Sequence, residues 1–103
     1  MATEHEAVLP DRLTVHQNYP NPFTGSTTIR YELPEAMEVR LLVFDALGRQ
    51  VAKLVDKWHG AGTFDVKWNA EGLGSGAYFY QLDTGGFVET RSMFLARATQ
   101  SVR

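Results

Sequence analysis

Ser26-Thr27-Thr28-Ile29-Arg30-Tyr31-Glu32-Leu33-Pro34 is the stretch whose reading decides the fold. Ile29, Tyr31 and Leu33 fall on one face, and Thr28, Arg30 and Glu32 on the other. A period of two with a single apolar face marks a half-buried strand. Pro34 has no N–H to give to a ladder, so the strand stops there. Residues 38–45 (EVRLLVFD) are denser: Val39, Leu41 and Val43 share one face, while Leu42 and Phe44 lie on the other. Apolar residues on both sides place this strand at a sheet centre, or beneath a cover.

The pattern continues along the chain. Asp45-Ala46-Leu47-Gly48 reads as a turn, with Asp45 able to bond nearby N–H groups and Gly48 tolerant of positive φ. Residues 49–57 (RQVAKLVDK) are ambiguous, because Val51, Leu54 and Val55 suit a helical turn as well as an irregular strand. The β signals on both sides favour strand. Beyond Gly60-Ala61-Gly62, the residues Phe64, Val66 and Trp68 alternate with Asp65 and Lys67. A glycine-rich loop over 71–76 leads into GAYFYQLD at 76–83, with Tyr78, Tyr80 and Leu82 on one side. Asp83-Thr84-Gly85-Gly86 is a hairpin turn whose glycines supply positive φ. Residues 87–96 (FVETRSMFLA) form the last strand, with Phe87, Met93 and Leu95 on one face and Val88, Thr90, Ser92 and Phe94 on the other. It is expected to sit at an edge or to be accessible there. With a short strand over 13–17, about seven strands and no helix-length repeat point to an immunoglobulin-like antiparallel β-sandwich. Residues 1–10 are expected to be a flexible lead-in, 11–97 the domain, and 98–103 a tail.

Composition narrows the function. The 103 residues, with 10 Lys+Arg against 12 Asp+Glu, give one near-neutral domain. That argues against a nucleic-acid binder, which carries a clustered basic face. There is no run of about 18 apolar residues to cross a membrane. With no cysteine, disulfides, thiolate metal sites and cysteine nucleophiles are excluded. Met1-Ala2-Thr3-Glu4-His5-Glu6 lacks the basic and apolar regions of a secretory signal, so the chain either stays inside the cell or is a piece of a longer exported protein.

Catalytic and metal chemistry find little support. His5, His16 and His59 are far apart and read as surface histidines rather than converging ligands. Asp45, Asp56, Asp65 and Asp83 lie near strand ends without a calcium-loop spacing, and read as turn caps. Gly72-Leu73-Gly74-Ser75-Gly76 precedes a strand, not the helix N-terminus that a phosphate loop requires. Position 73 is Leu where a nucleophile elbow needs Gly, so Ser75 has no such frame. No cofactor is expected and the chain does not read as an enzyme. Among the aromatics, Trp68, Tyr78 and Tyr80 fall on inward faces and read as core, whereas Trp58 and Phe79 stay open as parts of a sugar-stacking platform.

Several phrases are more specific. They are Gln17-Asn18-Tyr19-Pro20-Asn21-Pro22-Phe23, the stretch from Ser26 to Pro34, Val43-Phe44-Asp45-Ala46-Leu47-Gly48-Arg49 and Ala61-Gly62-Thr63. Ser75-Gly76-Ala77-Tyr78-Phe79-Tyr80 and Gly86-Phe87-Val88-Glu89-Thr90-Arg91-Ser92-Met93 complete the set. In this order, from about residue 13 to 97, they resemble the type A C-terminal sorting domain of type IX secretion substrates in Bacteroidetes and their relatives. More loosely, the chain is similar to the immunoglobulin-like domain of flagellar hook-capping proteins. The resemblance implies a sandwich at the end of a larger exported cargo, read by an outer-membrane translocon. It further implies a sortase-like surface peptidase that cuts upstream and attaches the cargo to the cell surface, with the domain as substrate. Carried onto this chain, the recognition candidates are Asn18, Pro20, Asn21, Pro22, Asp45, Gly48, Gly76, Tyr78, Gly86, Thr90, Arg91 and Met93. Two features depart from the family: Thr24-Gly25 replaces Asn-Pro after the Phe, and the chain runs on past Arg97.

The prolines Pro20 and Pro22 stiffen the approach to the sandwich, with Phe23 as a plug at its end. The alternative function is a carbohydrate- or cell-wall-binding accessory module, or a plain spacer, of a multidomain extracellular enzyme. An exposed, coplanar pair of aromatics would favour that alternative.

Overall fold

The computed structural model describes residues 10–97. The expected tail and all but Pro10 of the expected lead-in lie outside the described residues. Seven strands are present: β1 (Thr14–Val15), β2 (Ser26–Leu33), β3 (Met37–Asp45), β4 (Gln50–His59), β5 (Gly62–Asn69), β6 (Gly76–Asp83) and β7 (Val88–Leu95). They form two antiparallel sheets, in the orders β1-β2-β5 and β4-β3-β6-β7. This is the immunoglobulin-like sandwich expected from the alternation.

Each sheet turns its apolar parity inward. Ile29 pairs with Val66 and Tyr31 with Phe64 in one sheet, while Leu41 pairs with Leu82 and Val43 with Tyr80 in the other. Ile29, Tyr31, Leu33, Leu41, Val43, Tyr80, Leu82 and Leu95 are fully buried in the resulting core, and Trp68 and Tyr78 are buried beside them. The Tyr78 hydroxyl donates to the Gly74 carbonyl at 2.7 Å. A tyrosine closing back on the chain a few residues upstream is the tyrosine corner of immunoglobulin-like sandwiches.

The ambiguous segment becomes β4, and its broken period has a specific cause. Leu41 lies opposite Val55 but Leu42 opposite Lys53, so Leu54 is an extra residue. Val43 lies opposite Ala52 but Phe44 opposite Gln50, so Val51 is a second one. A bulge shifts the side-chain phase by one. Two of them in one strand imitate helical spacing at Val51, Leu54 and Val55.

β3 lies inside its sheet, between β4 and β6, as its density suggested. The side chain of Leu42 nevertheless points to the outer face, where its strand neighbours Lys53 and Gln81 shield it. Phe87 differs from expectation. It precedes β7, and its carbonyl accepts from Thr84 N across the hairpin, so it is partly exposed while Met93 and Leu95 are core.

Where β4 and β5 leave the sandwich open, His59 rests on Phe64 with ring centroids 4.0 Å apart. His59 Nε2 lies 2.8 Å from the buried Tyr31 hydroxyl. Burial pushes the Tyr31 phenol up to about 12, so it remains a donor. Burial, with Lys57 nearby, lowers the His59 pKa below its ordinary 6.5. A neutral imidazole accepts the Tyr31 proton, and an imidazolium cannot. The folded state thus binds fewer protons at His59 than the unfolded chain does, and stability rises with pH through that window. The melting temperature is expected to fall as pH drops below about 6.5. His59→Leu should flatten that step and leave the carboxylate-driven loss below about pH 4. A pH series of thermal melts on both proteins checks this.

Candidate recognition surface

Residues 16–23 form a strap that crosses from one sheet to the edge of the other. Its prolines follow cis peptide bonds, at Tyr19-Pro20 and Asn21-Pro22. Asn18 anchors it from inside the domain. It is 2% exposed, and its Nδ2 donates to Thr27 Oγ1 (2.9 Å) and to the Pro20 carbonyl (3.1 Å). Thr27 Oγ1 in turn donates to the Pro20 carbonyl at 2.8 Å. The Tyr80 hydroxyl accepts from Asn18 N at 2.9 Å and donates to the His16 carbonyl at 2.6 Å. Among the described residues no buried side-chain nitrogen or oxygen, in this cluster or elsewhere, lacks a partner, the condition for burying such groups without penalty. Phe23 is the second anchor, fully buried against Trp68 at a centroid distance of 5.9 Å.

Between its anchors the strap closes part of the β7 edge. Phe23 N donates to the Phe94 carbonyl at 3.0 Å, and Ala96 N to the Phe23 carbonyl at 2.8 Å. Phe94 N donates to Asn21 Oδ1 at 3.0 Å, and Gln17 Nε2 to the Ser92 carbonyl at 2.8 Å. Upstream of Ser92 the strap leaves the edge. Arg91 Nε reaches across the sandwich to the Val15 carbonyl at 2.8 Å, and its guanidinium pairs with Glu89 at 3.2 Å.

The recognition candidates therefore divide. Asn18, Tyr78 and Met93 are buried, so in the folded domain they position the chain and offer no contact surface. Pro20, Asn21 and Pro22 are exposed on the strap, and Thr90 on β7. Arg91 is half-buried. Asp45 and Gly48 build the β3–β4 turn. Asp45 Oδ1 accepts from Leu47 N and Arg49 N, both at 2.9 Å, and Gly48 has φ +86°. These bonds, the Arg49 N–H first, hold the Asp45 carboxyl below the usual carboxylate range. Gly76 takes φ +147° at the start of β6. In the β6–β7 hairpin the positive φ belongs to Gly85 and not to Gly86, and Asp83 Oδ1 caps Gly85 N at 2.8 Å.

Thr27 was not singled out in the sequence, although the signal was there. It shares the inward parity of Ile29, Tyr31 and Leu33, and a hydroxyl on an apolar face needs a buried partner. Asn21 was singled out, but its bond to Phe94, 73 residues away, has no counterpart in any local pattern.

Among the described residues no group of three or more His, Asp or Glu side chains is placed to hold a metal ion. The close aromatic pairs join Phe23, Trp68 and Tyr78 in the core, and Tyr31, His59 and Phe64 at the open seam. The exposed rings of Tyr19, Trp58, Phe87 and Phe94 sit on the strap, β4, the β6–β7 hairpin and β7 respectively, and Phe79 is half-buried on β6.

Comparison with curated proteins and with solved structures returns no match for this chain. Residues 17–95 match the family described as the secretion system C-terminal sorting domain. The matched span opens with the strap and closes with β7, the two segments that meet at the sheet edge. The chain belongs to this family of sorting domains, which serve as C-terminal signals for type IX secretion and mark their proteins for the cell surface or for release.

Proposed function

We propose that the outer-membrane translocon reads the folded domain along the outward rim of β7. The sortase-like surface peptidase then acts upstream, on the connection to the N-terminal cargo domains, and the domain itself is substrate and not catalyst. The observation that carries this reading is the state of the edge. Phe94 turns its N–H and carbonyl away from β6, and strand alternation gives Val88, Thr90 and Ser92 the same orientation. Among the described residues the outward groups of Val88 and Thr90 have no partner. An extended receptor segment can bind there by adding a strand, a mode that depends on backbone and so serves many unrelated cargoes.

The glycan-binding alternative draws less support. Its aromatic platform needs neighbouring exposed rings, and among the described residues the close ring pairs lie in the core and at the His59 seam, with none joining Tyr19, Trp58, Phe79 or Phe94.

The test keeps the fold and changes the rim. Val88, Thr90 and Phe94 all carry exposed side chains on β7. Replacing them with Glu in a full-length cargo is expected to leave the melt of the domain within a few degrees, and to cut surface display by roughly tenfold or more, the equivalent of about 1.4 kcal/mol of receptor binding. Normal display from such folded variants would move recognition to the exposed strap residues Pro20, Asn21 and Pro22, or to the Asp45 turn.

A further inference from the structure

The sandwich has four sheet edges, and they are not equally protected. β1 is two residues long, and β4 carries two bulges together with Lys53 and Lys57. β5 presents Asp65 and Lys67. Short length, bulges and charge are the ordinary means of preventing strand addition. β7 runs eight residues in unbroken register with β6, has no proline or bulge, and carries one charge of each sign, Glu89 and Arg91, which pair with each other. The strap protects it only from the Ser92 carbonyl onward. Among the described residues, the outward groups of Val88 and Thr90 and the Ser92 N–H remain open.

We infer that this open stretch pairs with its counterpart in a second copy of the chain, antiparallel and two-fold symmetric about Thr90. Three features converge on that register. Outward backbone groups belong to the even-numbered positions, so Thr90 of each copy exchanges both of its bonds with the other, and the Val88 carbonyl accepts from Ser92 N of the second copy, whose own carbonyl is held by Gln17 Nε2. The odd positions carry Glu89 and Arg91, and this register sets Glu89 of each copy directly opposite Arg91 of the other. Opposite charges at facing cross-strand positions are favourable, and here they occupy the non-hydrogen-bonded pairs, where side chains are closest. Centring the pair on Glu89 or Arg91 would instead face like charges and present no outward bonds at the centre. Finally, Phe94 falls opposite Gly86 of the other copy. There the strap ends the free edge of one chain and the hairpin ends the strand of the other, so both boundaries coincide.

The contact joins the two four-stranded sheets edge to edge through a short stretch. It belongs with the small, transient interfaces below about 1,200 Å². It needs no receptor, and it covers the same rim, so self-association and strand addition by any other partner exclude one another.

Sedimentation of the 103-residue chain tests this over about 10 µM to 1 mM, the range that resolves weak affinities. A dimer fraction that grows with concentration is expected. Glu89→Lys and Arg91→Glu alone each face like charges across the two-fold and should be monomeric. Mixed in equal amounts, the two variants should associate, because each altered position then meets its opposite charge. Arg91→Glu also gives up the bond to the Val15 carbonyl, so a second variant guards the test. Thr90→Pro removes an outward N–H without touching the ladder to β6, and should keep the melt while losing the dimer. Three results would each overturn the inference: a wild-type monomer at about 1 mM, a dimeric Thr90→Pro, or folded charge variants that stay monomeric when mixed.

Discussion

Tyr80→Ala is expected to lower the unfolding free energy by roughly 3–5 kcal/mol, the range for removing a large buried aromatic. At about 4–8 °C of melting temperature per kcal/mol in a domain of this size, the shift should exceed about 12 °C. The ring is fully buried on β6, opposite Val43 on β3 and Arg91 on β7, so no neighbour can fill the hole without moving a sheet. Its hydroxyl adds a second contribution, because it holds both Asn18 N and the His16 carbonyl and so pins the strap. Tyr80→Phe separates the two. It keeps the ring but leaves a buried N–H and a carbonyl without a partner, at a cost of about 1–3 kcal/mol. Chemical denaturation of both variants reads the difference. A loss below about 1 kcal/mol for Tyr80→Ala would mean that the ring is not part of the core.

Removing residues 87–97 from a full-length cargo is expected to abolish export. The deletion takes away Met93 and Leu95 from the core, and with them the carbonyl and N–H that hold Phe23 in place. It also converts β6 into an unprotected edge, a template for aggregation. Cargo retained in the periplasm, together with a lost cooperative melt of the isolated domain, is the expected pair of results. Undiminished cargo at the surface would show that neither β7 nor an intact sandwich is required. Because this deletion removes signal and fold together, the rim substitutions that preserve the melt decide between the two contributions.

The strands were legible in the sequence because alternation reports directly which side chains face inward. The parity that set Ile29, Tyr31 and Leu33 together, and Tyr78, Tyr80 and Leu82 together, is the parity the core uses. Turn residues were legible for a similar local reason. The Asp45 carboxylate bonds N–H groups only two and four residues ahead. β4 resisted the same reading because a bulge is an agreement between two strands, invisible within one of them.

By itself, then, the sequence determined an antiparallel sandwich, the inward aromatics and, through its ordered phrases, the sorting-domain family. It did not determine what each exposed-looking motif touches. Asn18, Tyr19, Pro20, Asn21 and Pro22 read as a stiff approach, yet Asn18 is a buried anchor and Asn21 caps the far end of the last strand. Only the tertiary structure decided that the β7 edge is closed beyond Ser92 and open before it. The physical reason is range: Gln17 meets Ser92 across 75 residues, and Arg91 meets Val15 across 76. Periodicity tells a strand which way its side chains point, and only the folded chain tells it which strand, strap or stranger lies alongside.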